Sequence, residues 1–119
     1  MIKRISTPYG TFQRRTQRRY EYVIIRPNNL DWMEAHRTER LSFWQEMAAR
    51  YPDSDYSRDI ARHSVPYTPQ NTAPWRAQTW SSSERHAITV AKKLSRLWGR
   101  ALVLSAITGE QFYAFREGR

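Results

Sequence analysis

The chain contains no cysteine, and this absence excludes several kinds of chemistry. Disulfide bonds, thiolate nucleophiles and cysteine-ligated zinc all require a side chain that the sequence lacks. Glycine is also scarce: it stands at positions 10, 99, 109 and 118, each suited to a turn, a helix end or the tail. None of these glycines belongs to a phosphate-binding loop, a dinucleotide-binding motif or a G-x-S-x-G elbow. We therefore find no common catalytic motif and expect no cofactor.

Long hydrophobic runs are absent as well. No stretch approaches the roughly 20 apolar residues that span a bilayer as a helix. The basic residues at positions 3 and 4 are not followed by the apolar region of a secretion signal. We expect a protein of the cytoplasm, or of a host cell's cytoplasm, that does not contact a membrane.

Acidic residues are few, and the positive charge is concentrated in two segments. The chain has 20 Lys and Arg residues against 11 Asp and Glu, a formal net charge of +9. Residues 1–26 hold seven basic and one acidic residue, and residues 81–100 hold five basic and one acidic residue. This asymmetry indicates a polyanionic partner, either nucleic acid, a nucleoprotein complex or an acidic protein surface.

The length and the aromatic content predict one globular domain over residues 1–119. A chain of 119 residues suffices for one core, and its five Trp, seven Tyr and four Phe residues compensate for a modest aliphatic content. The predicted fold class is α+β: an antiparallel sheet of about four strands with two helices on one face, in the order β(β)-α-loop-α-ββ. The predicted strands cover residues 2–6, 11 onward, 20–25, 100–107 and 111–116. Pro8 and Gly10 predict a turn at residues 7–10, and the strand over 100–107 is expected to be central because both of its faces are partly apolar. The predicted helices cover 29–51, with Asn29 as N-cap and an end near Tyr51 before Pro52, and 81–98.

The second predicted helix has the clearest boundaries. Ser81 stands three residues before Glu84, which is the spacing of a capping box, and Gly99 stands where helices often end. Apolar residues recur between them at helical intervals and end at Leu97 and Trp98, so Trp98 is predicted to be buried.

Two basic segments are the candidate binding surfaces. We interpret residues 11–19 as a basic arm or hairpin tip, or alternatively as an edge strand kept soluble by its charge. The candidate residues for nucleic acid or an acidic partner are Arg14, Arg15, Arg18, Arg19, Tyr20, Lys92, Lys93, Arg96 and Arg100. Arginine binds phosphate bidentately, and a neighbouring tyrosine can stack on a base. Lys92, Arg96 and Arg100 are four residues apart, so a continuous helix would place them on one face.

Residues 64–80 are predicted to form a loop rich in proline and aromatic residues. Tyr67, Trp75 and Trp80 could bind a partner from this loop, or the two tryptophans could fill the edge of the core. No metal site is predicted, because His36, His63 and His86 have no ligand spacing. The segment with Asp53, Asp55 and Asp59 lacks the remaining features of a calcium loop.

Three functions are compatible with these patterns. The first is a non-enzymatic binding protein for nucleic acid or a nucleoprotein complex. The alternative is an inhibitor or accessory protein of a phage or mobile element, for example an anti-CRISPR protein, that binds host machinery. The third is a basic ribonuclease toxin that uses one histidine as general base. Of these, we expect a binding function without catalysis.

Overall fold

A computed structural model describes residues 2–119. Its strands are β1 (Ile2–Thr7), β2 (Gly10–Arg15), β3 (Tyr22–Pro27), β4 (Trp75–Ser81), β5 (Arg100–Ser105) and β6 (Gln111–Arg116). Its helices are α1 (Leu30–Arg50), α2 (Ser57–Arg62) and α3 (Glu84–Trp98). The predicted α+β class is confirmed, and the order of the elements roughly matches the prediction, with β4 and α2 as additional elements.

The elements fall into two units. The sheet unit comprises the described part of residues 1–28 together with residues 73–119, and the helical unit spans residues 29–72. The helical segment is thus inserted between two neighbouring strands of one sheet, β3 and β4. Of the two long helices, α3 packs on the sheet of its own unit, and α1 belongs to the helical unit.

The sheet unit contains a four-stranded antiparallel sheet with the order β4-β3-β5-β6. Strands β3 and β5 are interior, which agrees with the prediction that the apolar β5 is central. Val23, Ile24 and Ile25 have no exposed surface although alternate side chains of a strand point to opposite faces. Both faces of the sheet must therefore be covered.

Two different elements cover the two faces. On one face, Ile24 and Val103 form a buried cluster with Ala87, Ala91 and Leu94 of α3. On the other face, Val23, Ile25, Leu102 and Leu104 form a cluster with Ile5 and Phe12 of the hairpin β1–β2. The hairpin is a separate two-stranded sheet, so the unit consists of three layers: hairpin, sheet and helix.

The loop predicted over residues 64–80 is only partly a loop. Strand β4 begins at Trp75, one residue after Pro74, and pairs with β3. Trp75, Ala77 and Thr79 are half-buried and alternate with the exposed Arg76 and Gln78, a strand pattern that the nearby prolines obscured in the sequence. The prediction had counted the strands of the N-terminal hairpin in one sheet with the others, whereas β1 and β2 form a separate sheet and β4 is the fourth strand of the larger one.

Helix α3 begins and packs differently from the prediction in three details. Its N-cap is Ser83, whose side chain accepts a hydrogen bond from the backbone N–H of His86, so the predicted cap at Ser81 is wrong. Leu97 is 70% exposed, because it faces away from the sheet. Trp98 is half-buried rather than buried; it packs at the edge of the helix-side cluster, and the guanidinium of Arg26 lies 3.7 Å from the centroid of its ring.

The helical unit consists of α1 and the short α2. Asn29 caps α1 by accepting a hydrogen bond from the backbone N–H of Trp32, and the helix ends before Tyr51, as predicted. Arg37 is 9% exposed and pairs with Glu34 at 2.9 Å while donating to the backbone carbonyl of His63. Glu34 also accepts a hydrogen bond from the backbone N–H of Tyr67. These bonds hold the segment that follows α2 against α1.

Candidate nucleic-acid interface

Six cationic side chains lie at the open end of the hairpin β1–β2 and in the connection that follows it. The hairpin turns at residues 8–9, and its open end is formed by the paired residues Ile2 and Arg15. The connection 16–21 then leads into β3. We call this set the hairpin basic cluster: Lys3, Arg4, Arg14, Arg15, Arg18 and Arg19.

Tyr20 anchors the side of the cluster that faces the sheet. Lys3 and Arg14 are directly opposite each other across the two strands. The ammonium of Lys3 donates a hydrogen bond to the backbone carbonyl of Tyr20 at 3.0 Å, and the guanidinium of Arg14 lies 5.1 Å from the centroid of the Tyr20 ring. Both cations are thereby held in place while their charges stay unpaired.

The other cations of the cluster are exposed. Arg4 donates to the side-chain carbonyl of its strand partner Gln13 at 3.2 Å, and Arg15 is exposed. Arg19 pairs with Glu21 at 3.3 Å, but both side chains are so exposed that the pair contributes little stability. Glu21 is the one acidic residue among residues 1–28, which hold seven basic residues.

A surface recess of about 330 Å³ lies within the cluster. It is lined by Ile2, Lys3, Thr16, Gln17, Arg18 and Arg19. Thr16 accepts a hydrogen bond from the backbone N–H of Arg18 at 3.0 Å, which shapes the connection around the recess. The recess therefore offers three cationic groups and two polar side chains to an anionic ligand.

Lys3 and Arg4 are members of this site that the sequence patterns did not predict. The signal was present, because the predicted turn at residues 7–10 determines the register of the hairpin and places Lys3 beside Arg14. The predicted role of Tyr20 also changes. Its ring is 9% exposed and packs near Trp80, so Tyr20 positions the cations and has little surface with which to stack on a base.

The second basic segment is not part of the same surface. Lys92, Lys93 and Arg96 are exposed on α3, which covers the face of the sheet opposite the hairpin. The predicted line of residues four apart is interrupted, because α3 ends at Trp98 and Arg100 belongs to β5. Arg100 lies on the hairpin side of the sheet, with its guanidinium 5.2 Å from the centroid of the Trp75 ring.

The three aromatic residues proposed as a partner-binding loop are separated. Trp80 is 8% exposed and belongs to the core of the sheet unit. Trp75 is half-buried, with the ring of Tyr9 edge-on at 5.2 Å. Tyr67 lies in the helical unit and is 41% exposed. Trp75 and Trp80 therefore stabilise the sheet unit, and of the three residues Tyr67 has the most surface available for a partner.

The net charge is divided unequally between the two units. The sheet unit holds 15 of the 20 basic residues and four of the 11 acidic residues, so its formal charge is +11. The helical unit holds the other five basic and seven acidic residues, so its charge is −2. The excess of positive charge is therefore carried by the sheet unit.

A second recess, of about 200 Å³, surrounds the one acidic residue of α3. It is lined by Tyr22, Glu84, Phe112 and Tyr113. The hydroxyls of Tyr113 and Tyr22 donate to the two carboxylate oxygens of Glu84 at 2.5 and 3.4 Å. The hydrogen bond to Glu84 raises the pKa of Tyr113, and burial followed by the charge of Glu84 raises the pKa of Tyr22.

We expect Glu84→Gln to lower the pKa of both Tyr22 and Tyr113. The amide removes the negative charge that opposes formation of each tyrosinate, while it keeps an acceptor for the hydroxyls. A titration that follows the ultraviolet absorbance of tyrosinate should show the change at the alkaline end. Glu110→Gln removes the same charge elsewhere in the sheet unit and should leave the titration unchanged. Identical titrations for both variants would contradict the conclusion that Glu84 raises the pKa values of Tyr22 and Tyr113.

Because both tyrosines have raised pKa values in the folded protein, their contribution to stability is complete below the ordinary tyrosine pKa of about 10. This contribution to stability is lost as the pH rises through the raised pKa values that the two tyrosines have in the folded protein. The free energy of unfolding should therefore fall less steeply above pH 10 in Glu84→Gln than in the unmodified protein, because the variant has the smaller difference between folded and unfolded pKa.

The histidines do not form a metal site with other ligands. Within residues 2–119, no group of three His, Asp or Glu side chains is arranged to hold a metal ion. His36 stacks on Trp32 with a centroid distance of 5.2 Å, and His86 lies in the first turn of α3. None of the helices in this part of the chain combines the length and the apolarity needed to cross a bilayer.

Comparisons with protein-family models, with curated proteins and with solved structures find no match to this chain.

Proposed function

We propose that this protein binds nucleic acid without catalysis and that the hairpin basic cluster is its contact surface. The observation that supports the proposal is the grouping of six cations at one end of the hairpin and in the connection after it, three of which line one recess. Among the described residues of the cluster, the ion pair between Arg19 and Glu21 is exposed. Ile5 and Phe12 hold the hairpin on the sheet. The exposed cations of the cluster are therefore not required for the packing of the core.

The chemistry of the cluster suits phosphate groups. Five of its six cations are arginines, whose planar guanidinium forms two parallel hydrogen bonds to a phosphate. Lys3 and Arg14 are held by Tyr20 before any ligand binds, so less conformational entropy is lost on binding. The charge of +11 on the sheet unit attracts a polyanion over a longer range.

The test is the dependence of binding on salt. Binding of a fluorescent oligonucleotide is measured by anisotropy at several concentrations of sodium chloride. If about five cations of the cluster contact phosphates, log Kd should rise with log salt concentration with a slope of about 4 to 5. A slope near zero, or no binding at low salt, would contradict the proposal.

The same samples separate binding from cleavage. When the oligonucleotide is RNA, it is expected to remain intact on a denaturing gel after long incubation with the protein, with and without a divalent metal ion. Degradation by pure protein that disappears in His36→Ala, His63→Ala or His86→Ala, with the fold retained, would favour a ribonuclease instead.

A second candidate function, binding of a protein partner, is favoured by the surface of the helical unit. Trp32, Phe43, Tyr51 and Tyr67 are each more than 40% exposed there, and aromatic residues are enriched where proteins bind each other. An inhibitor or accessory protein that binds host machinery would use such a surface. A stoichiometric partner that co-purifies with the protein, and is lost in the double variant Trp32→Ala and Phe43→Ala, would support this function.

A further inference from the structure

We infer that the hairpin basic cluster binds the phosphate backbone of a duplex rather than a single strand, an inference that rests on the proposed function. Proteins that bind single strands without sequence preference combine a basic groove with exposed aromatic rings on which bases stack. A duplex hides the faces of its bases and presents phosphates alone to such a surface. The two modes therefore differ in whether exposed rings accompany the cations.

The aromatic rings next to the arginines in sequence are occupied by other contacts. Phe12 and Tyr20 are 7% and 9% exposed and belong to the core. The ring of Tyr9 packs edge-on against Trp75, and its hydroxyl donates to Gln111 at 2.5 Å. Tyr22 donates to Glu84 on the helix side of the sheet. None of these four rings is free to stack on a base beside the cluster.

The remaining described surface of the sheet unit does not supply another aromatic ring beside the cluster. Among its described residues, Phe112 is the one strongly exposed aromatic residue, with 46% of its surface accessible. Phe112 lines the recess that contains the carboxylate of Glu84, and this carboxylate repels phosphate. The apolar residue exposed at the cluster itself is Ile2, which cannot stack on a base.

The higher charge density of a duplex also favours its binding over that of a single strand. A duplex carries one charge per roughly 1.7 Å of its axis, and the salt slopes are about −0.9 per phosphate contact for a duplex and about −0.7 for a single strand. With about five phosphate contacts, the total salt slopes for a duplex and a single strand differ by about 1. This difference between the slopes corresponds to roughly tenfold tighter binding of the duplex at 0.1 M salt.

The experiment compares four probes of equal length and related sequence: duplex DNA, duplex RNA, single-stranded DNA and single-stranded RNA. The unmodified full chain is titrated with each probe by fluorescence anisotropy at the same salt concentration. We expect both duplexes to bind about tenfold more tightly than both single strands. Tighter binding of a single strand would overturn this inference while leaving the proposed function intact. Failure of all four probes to bind would overturn the proposed function itself.

A gain-of-function variant tests the reason for the preference. Gln17 is exposed and lines the recess, so Gln17→Trp places a ring beside the cations without disturbing the core. One additional stacked base should tighten single-strand binding by roughly five- to 150-fold and leave duplex binding nearly unchanged. Gln17→Leu, which adds an apolar side chain without a ring, serves as the matched control. Equal effects of both variants on single-strand binding would contradict the stacking argument.

Discussion

Replacing Arg14, Arg15, Arg18 and Arg19 together with alanine is expected to weaken binding of duplex DNA by about three orders of magnitude at 0.1 M salt. If each arginine contacts one phosphate, the slope of log Kd against log salt should fall by about 3 to 4. The fold should be retained, because all four side chains are exposed and the hairpin is held by Ile5 and Phe12. Circular dichroism and thermal unfolding check the fold, and anisotropy measures the affinity.

A matched control removes the same charge from the other face of the sheet. Arg85, Lys92, Lys93 and Arg96 are exposed on α3, and the quadruple alanine variant lowers the net charge by the same four units. If the cluster is the binding surface, the α3 variant should lose less than about tenfold in affinity, through weaker long-range attraction. Equal losses in the two variants would show that overall charge decides binding and would refute the proposed surface.

Phe12→Ala is expected to lower the free energy of unfolding by about 3–5 kcal/mol, because it removes a large aromatic side chain from a packed core. Phe12 is 7% exposed and stands opposite Ile5, and the two residues form the hairpin's contribution to the buried cluster with Val23 and Leu104. A loss of this size is a large part of the total stability of a small domain. Chemical denaturation followed by tryptophan fluorescence provides the measurement.

The control for this variant is Ile2→Ala in the same hairpin. Ile2 is 58% exposed, so its truncation should change the free energy of unfolding by less than about 0.5 kcal/mol. If Phe12→Ala proved equally harmless, the hairpin would not be docked on the sheet. The position of the basic cluster, which depends on that docking, would then also be wrong.

Local signals in the sequence predicted most of the individual elements. The Asn29 cap and Pro52 predicted the extent of α1, and Gly99 predicted the end of α3. The proline and glycine of residues 7–10 predicted the first hairpin, and strand β6 was predicted with its observed ends. These features depend on hydrogen bonds and backbone dihedral angles within a few residues, so the neighbouring sequence is sufficient to predict them.

The sequence was less informative where a segment's conformation depends on its partner. Strand β4 follows three prolines and is stabilised by pairing with β3, which lies about fifty residues earlier in the chain. Gly109 shows the same dependence: a side chain there would meet the backbone carbonyl of Ser6, because the hairpin crosses the β5–β6 connection at this point. Such contacts between distant residues cannot be read from local periodicity.

By itself the sequence determined the α+β class, the order of most elements, the excess of positive charge and the arginines at positions 14–19. The tertiary structure decided how these residues are used. It stacks the hairpin on one face of the sheet and α3 on the other, so it separates Lys92, Lys93 and Arg96 from the hairpin basic cluster. It also adds Lys3 to the cluster and buries Tyr20. The physical reason is that burial of apolar surface, a property of the whole unit, determines which rings fill the core and which cations remain in water.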